Sequence, residues 1–375
     1  MSKRKRKSRN LCHQAPGKST VLPDVSANPQ WKHLAGNPGM DRNGPIGPFH
    51  EAHGINDDPM CRHAESNRWP GAPKGRGGHM KKIDLARSVI RSHSHLFMCP
   101  LCGATMNMNG SNSLICSNRH CFDLSRSGSI HLLSNPVKRT KYDKQMFESR
   151  LAVNKSGFFA NMAETIHHLV SCASTNTNAK CIRVLDAGCG EGSHLADLVK
   201  NLGSTGSGVL GVGMDLSKDG VRIAAREYPG LIWCVADLAR SPFKDQQFDV
   251  ILNIFSPSNY SEFARILHDD GILMKIVPGR DYLKELRRVF HGQAHKQTYS
   301  NEQVLTHFSK HFQPVKNRQI KYVNRIDPSE LKDLIHMTPL SWGTKEENIQ
   351  KALQSDIFSV TVDVTVVVGK KSRSI

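Results

Sequence analysis

From residue 184 onward the chain alternates between short apolar runs and amphipathic stretches. The runs are Val184 to Ala187, Gly208 to Asp215, Leu231 to Ala236, Phe248 to Leu252 and Gly271 to Val277. Each has strand length and is apolar almost throughout. Between them, Val221, Ala224 and Ala225 recur at helical spacing behind Ser217, a residue type that caps helices. Apolar strands separated by helical patterns predict an α/β fold whose parallel sheet is covered on both faces. A longer helical pattern precedes them, from about Gln145 to Ser171, and an alternating strand, Phe358 to Val366, closes the chain. Residues 1–79 hold no period long enough to build a core.

The strand ends carry the candidate chemistry. Asp186 closes the first run, and Gly188, Gly190 and Gly192 follow before a helix opens at Ser193. Glycines there let the backbone come close to a ligand. The dinucleotide fingerprint is G-x-G-x-x-G, which grips a pyrophosphate. Here the spacing is G-x-G-x-G behind an acid, which suits a ligand without phosphates and with a cationic centre: S-adenosylmethionine (SAM). Asp215 ends the second strand, where ribose hydroxyls are held in such folds. Asp237 and Leu238 end the third, placed to receive an adenine amine. Asn253 begins the segment to Pro257 at the same edge. The fold class expected is a Rossmann-like, SAM-dependent methyltransferase.

Ahead of this fold, Cys99-Pro100-Leu101-Cys102 is followed by Cys116-Ser117-Asn118-Arg119-His120, with Asn109-Gly110 as the turn of a hairpin between them. Three thiolates and an imidazole at this spacing form the ligand set of a closed, structural Zn²⁺ site. Cys121 competes with His120 for the fourth position, and His120 has the better spacing.

Composition narrows the partner and the compartment. The net charge is +18, a surplus that favours a polyanion such as nucleic acid. Basic residues gather at Lys138 to Lys144, around Tyr142, and again at Lys284, Arg287, Arg288 and Lys296. The second group lies between Tyr282 and Phe312, a stretch long enough to be a substrate lid. No run reaches membrane length and no secretory h-region opens the chain, so a cytoplasmic protein without a membrane partner is expected.

These motifs carry a resemblance. Residues from about Met80 to Gly369 resemble the RlmA-type methyltransferases, which methylate N1 of a guanine in a hairpin loop of large-subunit (23S) ribosomal RNA. The matching pieces are Cys99 to Cys102, Arg119-His120 with Phe122-Asp123, the glycine loop, and Asp215-Leu216-Ser217-Lys218. Ile254-Phe255-Ser256-Pro257 and Met337-Thr338-Pro339 complete the set. The wording around Ser256 to Tyr260 looks most like the Gram-positive branch, some members of which confer resistance to macrolides such as tylosin. The resemblance implies SAM, one structural zinc, 23S rRNA as partner, and SAM contacts at Phe159, Gly190, Glu191 and Tyr282. Phe159 stands where a tyrosine is common in the family, and Tyr282 where a histidine is common. A homodimer and macrolide resistance are both compatible with it.

The domain division expected is a basic extension over 1–79, a zinc-binding RNA-recognition module over 80–135 with a core of its own, a linker and helix over 136–180, and the SAM domain over 181–375. Purine-rich coding capacity just before Met80 suggests that translation starts there; a disordered basic arm is the other reading of 1–79. Two further functions are compatible with the motifs: a small-molecule methyltransferase, which would need no zinc module, and a non-catalytic zinc-containing RNA-binding protein.

Overall fold

The computed structural model describes residues 81–110, 112–134, 142–174, 181–204, 208–291, 300–342, 344–355 and 357–372. The N-terminal extension with Met80, the basic residues Lys138, Arg139 and Lys141, and Lys296 lie outside the described residues.

Helix α1 (Lys82–Ser92) opens the described chain, followed by a three-stranded antiparallel sheet of β1 (Met106–Met108), β2 (Ser113–Cys116) and β3 (Cys121–Asp123). β1 and β2 form the expected hairpin, with Met106 opposite Cys116 and Met108 opposite Leu114. Next comes β4 (Ile130–His131), then α2 (Lys144–Lys155) and α3 (Ala160–Ser174). The single helix expected over 145–171 is therefore two. Asp143 caps the first by accepting from the Met146 N–H at 2.8 Å. The break falls at Gly157, whose φ of 84° is left-handed and ends a helix at little cost only in glycine.

The Rossmann-like part runs β5 (Cys181–Ala187), α4 (Ser193–Gly203), β6 (Gly208–Asp215), α5 (Lys218–Glu227), β7 (Ile232–Val235), β8 (Phe248–Ile254), α6 (Tyr260–Ile266) and β9 (Leu267–Pro278). After it come α7 (Lys284–His291), α8 (Glu302–Ser309), β10 (Phe312–Arg325), α9 (Pro328–Met337), α10 (Glu346–Leu353) and β11 (Ser359–Lys371). One eight-stranded sheet orders them β10-β11-β9-β8-β5-β6-β7-β4. β4 to β9 pair in parallel, and β11 and β10 add an antiparallel edge. The sheet is thus mixed rather than wholly parallel. Its order reverses at β5, between β6 and β8, which is where ligands sit in open α/β sheets.

The alternating strand read over 358–366 is β11, and despite its alternation Val360 to Val364 and Val366 to Val368 are all buried. β11 lies between β9 and β10 and is covered on both faces, so its polar members must be satisfied inside; Asp363 accepts from the Asp281 N–H and from Gln319 Nε2, each at 2.8 Å. The zinc segment, against expectation, lacks a core of its own. One apolar cluster runs from Ile90, Leu96, Phe97 and Met106 into Leu185, Val212, Ile232, Phe243 and Phe248. Phe97 stacks on Phe243 at 5.4 Å between ring centroids, and β4 joins the sheet beside β7 with Ile130 opposite Cys234. No helix among the described residues is long and apolar enough to cross a membrane.

Candidate cofactor site and metal centre

The turn after β5 is tied down by backbone bonds. Gly188 and Cys189 both donate to the Met214 carbonyl, at 2.8 and 3.0 Å, and the Gly190 N–H donates to Asp215 Oδ2 at 2.9 Å. Asp215 Oδ1 accepts from the Ser217 N–H at 2.7 Å. This carboxylate therefore joins the glycine turn to the cap of α5. Ala236 donates to the Asp215 carbonyl at 3.0 Å, which brings Asp237 and Leu238 alongside. Asp237 Oδ1 accepts from the Ala239 N–H at 2.9 Å, closing a local turn.

Three carboxylates crowd this turn: Asp186, Glu191 and Asp215. Burial, then the charges of Glu191 and Asp215, push Asp186 up to about 8. Burial also raises Glu191 and Asp215. Asp186 Oδ1 is buried with no hydrogen-bond partner among the described residues. An uncompensated acceptor among like charges is costly unless a donor or cation comes to it. The observed site thus fits a ligand that brings positive charge and N–H donors, as SAM does.

The glycines divide the work differently from expectation. Gly192, with φ 85°, starts α4, but its open side faces the protein: an added Cβ would lie 2.4 Å from Trp233 Cη2. Its role is close packing of helix on sheet, a correction to the ligand-approach reading. Gly188 has no room either, because Ser256 Oγ occupies the place of a Cβ at 1.9 Å. Gly190 is the least crowded of the three, yet a Cβ there would still be tight, 3.3 Å from Arg150 Nη1 and 3.4 Å from Phe147 Cε1.

Asn253 sits at the predicted edge, fully buried, yet its amide is used by the chain. Its Nδ2 donates to the carbonyls of Ala187 at 2.7 Å and Pro257 at 3.0 Å, and Oδ1 accepts from Ser258 Oγ at 2.8 Å and from Lys275 Nζ. This corrects the expected direct cofactor contact: Asn253 shapes the turn that follows it. Phe159 and Tyr282 come together through a residue in that turn. The Phe255 ring lies 6.2 Å from Phe159 and 5.3 Å from Tyr282, and Phe159 also meets His194 edge-on at 5.6 Å.

Sequence reasoning missed several residues here. Asn154 Nδ2 donates to Glu191 Oε1 at 3.0 Å. Arg150 stacks over Phe147 and opposes the raised values of Glu191 and Asp215 by its charge. Burial, and then Arg150, lower His194 to about 4, so it is neutral at physiological pH. Burial brings Lys275 down to about 7. Arg150 and Asn154 lie on a helix before the Rossmann-like part, where no local motif marks them. Lys275 does leave a trace, a charge inside an apolar strand.

The second cluster is formed by two knuckles. The first is closed by Cys99 N–H to the Ala104 carbonyl and by Gly103 N–H to the Cys99 carbonyl, both 2.8 Å. The second is closed by Arg119 N–H to the Cys116 carbonyl at 2.9 Å. They bring the ligand atoms of Cys99, Cys102, Cys116 and His120 within 4.8 Å of one another. Cys102 and Cys116 sulfurs are 3.7 Å apart, and His120 Nδ1 is 3.4 Å from the sulfurs of Cys99 and Cys116. A tetrahedron with Zn–S of about 2.3 Å and Zn–N of about 2.0 Å has edges of roughly 3.8 and 3.5 Å. The geometry fits zinc. Cys121 lies apart, with its thiol 3.7 Å from Asp123 Oδ1. The backbone N–H of Ala104 leads the effects that bring the Cys102 thiol down to about 6, favouring the thiolate a metal needs.

Fold, glycine turn and carboxylate cluster define a SAM-dependent methyltransferase, and the Cys₃His cluster adds a zinc ribbon to it. The family model described as "RlmA, N-terminal" matches residues 97–141, and that of a "Methyltransferase domain" matches 184–271. YxjB of Bacillus subtilis, which carries the name of a 23S rRNA (guanine-N1)-methyltransferase, is 41% identical over 281 residues, covering 74% of this chain and 97% of that protein. A 23S rRNA (guanine(748)-N(1))-methyltransferase of Streptomyces fradiae is 30% identical over 287 residues, 76% of this chain and 98% of that protein. The chain belongs to the RlmA-type 23S rRNA (guanine-N1)-methyltransferase family, with SAM and one zinc as its cofactors.

Proposed function

We propose that this chain methylates N1 of a guanine in a hairpin loop of 23S ribosomal RNA, in the cytoplasm where that RNA is made. Likeness across nearly the full length of rRNA-methylating relatives supports the acceptor. The observation that carries the donor is Asp186, a buried acceptor with an unmatched oxygen inside a cluster of carboxylates.

SAM supplies an activated methyl on sulfur. The chain supplies position and field. Asp186, Glu191 and Asp215 would hold the cationic donor, Gly188 and Gly190 would give it the backbone surface of the turn, and Asp215 would accept from the ribose. Asp237 and Leu238 would border the adenine, and Phe159 and Tyr282, joined through Phe255, would lie against the bound donor. Cys99, Cys102, Cys116 and His120 hold the zinc. Guanine N1 carries a proton at neutral pH, so attack needs that proton removed or polarised and the three reacting atoms in line. The base must leave its loop stack to reach the methyl, beside the turn from Phe255 to Ser258. Basic residues grip phosphates, and the zinc ribbon reads the shape of the loop.

The test is transfer of labelled methyl from SAM to deproteinised 23S rRNA, mapped by reverse transcription. N1-methylation blocks Watson–Crick pairing, so one clean stop at a guanine is expected. Label confined to small molecules would overturn the RNA acceptor.

A further inference from the structure

Strand β9 carries a lysine in an apolar row, Ile272-Leu273-Met274-Lys275-Ile276-Val277, and that lysine is 2% exposed. No carboxylate pairs with it among the described residues. Both partners of Nζ are carbonyl oxygens, Asn253 Oδ1 and the Ser256 main-chain carbonyl. Burying an amine without a counter-ion is expensive, and an apolar side chain would suit the row better. Its value must lie in what it holds.

It holds the turn after β8. Lys275 and Asn253 are register partners on adjacent strands. Asn253 passes the restraint to Pro257 and Ala187 through Nδ2, and Ser258 Oγ closes the circuit at 2.8 Å on Asn253 Oδ1. Within this turn Phe255 adopts φ 49°, a left-handed conformation that bulky residues keep only when their surroundings impose it. Ser256 fills the gap beside Gly188, so the turn rests directly on the glycine turn. The Phe255 ring bridges Phe159 and Tyr282.

We propose that Lys275 is a positioning residue for methyl transfer: through Asn253 and the Ser256 carbonyl it fixes the turn from Phe255 to Ser258, and so the place where the acceptor base meets the methyl. The rate effect rests on the RNA methylation proposed above. The bracing of the turn does not.

The experiment is Lys275→Met in the full chain, which keeps length and apolar volume and removes the donor. Three readings are taken: SAM affinity by calorimetry, hydrogen exchange of the amides of 255, 256, 258 and 259, and single-turnover methyl transfer to 23S rRNA. Expected are SAM affinity within about threefold, faster exchange in the turn, and transfer about 100-fold slower, because misplacement near 1 Å costs about that much. Unchanged exchange overturns the proposal, as does an unchanged transfer rate. A loss of SAM binding in proportion to the rate also overturns it, since that means general damage. If Lys275→Met does not yield folded protein, Ser258→Ala decides by the same readings, with a transfer loss of about fivefold for one hydrogen bond. A wild type that methylates no rRNA defeats the RNA reading instead, and the exchange reading then decides the brace alone.

Discussion

Gly188 and Ser256 occupy one another's space: a Cβ on Gly188 would lie 1.9 Å from Ser256 Oγ and 2.6 Å from its Cβ. Gly188 also has φ 90°, so an alanine there meets both a strained backbone and a side chain. Gly188→Ala should lower stability by about 2–4 kcal/mol and abolish measurable SAM binding. Adding Ser256→Gly should restore part of the stability by removing the clash, while the backbone strain stays. Thermal melts and calorimetry of the three proteins check this, and equal stability of the single and double variants would refute it.

Asp186 gives the site a pH signature. Its value near 8 lies above that of an unfolded aspartate, so the folded chain holds the extra proton between about pH 4 and 8. Stability of the ligand-free protein should therefore fall as pH rises through that window. A cation at the carboxylate favours the ionised form, so SAM should bind more tightly toward pH 8, by up to about tenfold per unit, releasing a proton. Asp186→Asn should flatten both dependences. Melts from pH 5 to 9 and calorimetry in buffers of different ionisation enthalpy would show it; a variant that keeps the wild-type slopes removes Asp186 from the linkage.

Asp215→Ala should weaken SAM binding by about 10- to 100-fold, since it deletes the proposed ribose acceptor and the acceptor of two backbone N–H groups at once. Asp215→Asn keeps one acceptor oxygen and should lose less. Equal losses in the two variants would assign the whole effect to the ribose contact.

Cys116→Ser should lose zinc and lower the melting temperature by on the order of 10 °C, because the cluster is continuous with the sheet's own packing. SAM binding should weaken with it, contrary to what a separate core would allow. Cys121→Ser should keep full zinc, its thiol lying toward Asp123. Metal analysis of the two proteins decides; full occupancy in Cys116→Ser removes that ligand.

The five parallel strands and the acidic strand ends were legible because each strand is locally apolar and each acid closes one. The zinc ligands were legible because both half-sites are contiguous. What escaped was long-range. Arg150 and Asn154 reach Gly190 and Glu191 from a helix some forty residues earlier, which no local period records. Gly192 reads like a ligand glycine until Trp233, from another strand, is found in its place. The alternation of β11 does not mark an exposed face, because polar residues such as Asp363 and Thr361 have internal partners, Thr361 Oγ1 donating to Glu285 Oε1 at 2.6 Å.

The short strand β4 bears on how the molecule is made. Ile130 and His131 pair with Cys234 and Val235, and the Leu132 N–H reaches the Val235 carbonyl at 2.8 Å. The nascent zinc ribbon therefore emerges about a hundred residues before its seat on the sheet exists. At about 5–20 residues per second of synthesis, that is a wait of roughly 5 to 20 s. During it, Leu96, Phe97 and Ile130 have no sheet to cover them, and the local pairing of β1 to β3 and metal capture are restraints this segment can complete alone. Zinc bound at that stage would tie the two knuckles together before the sheet arrives to cover them.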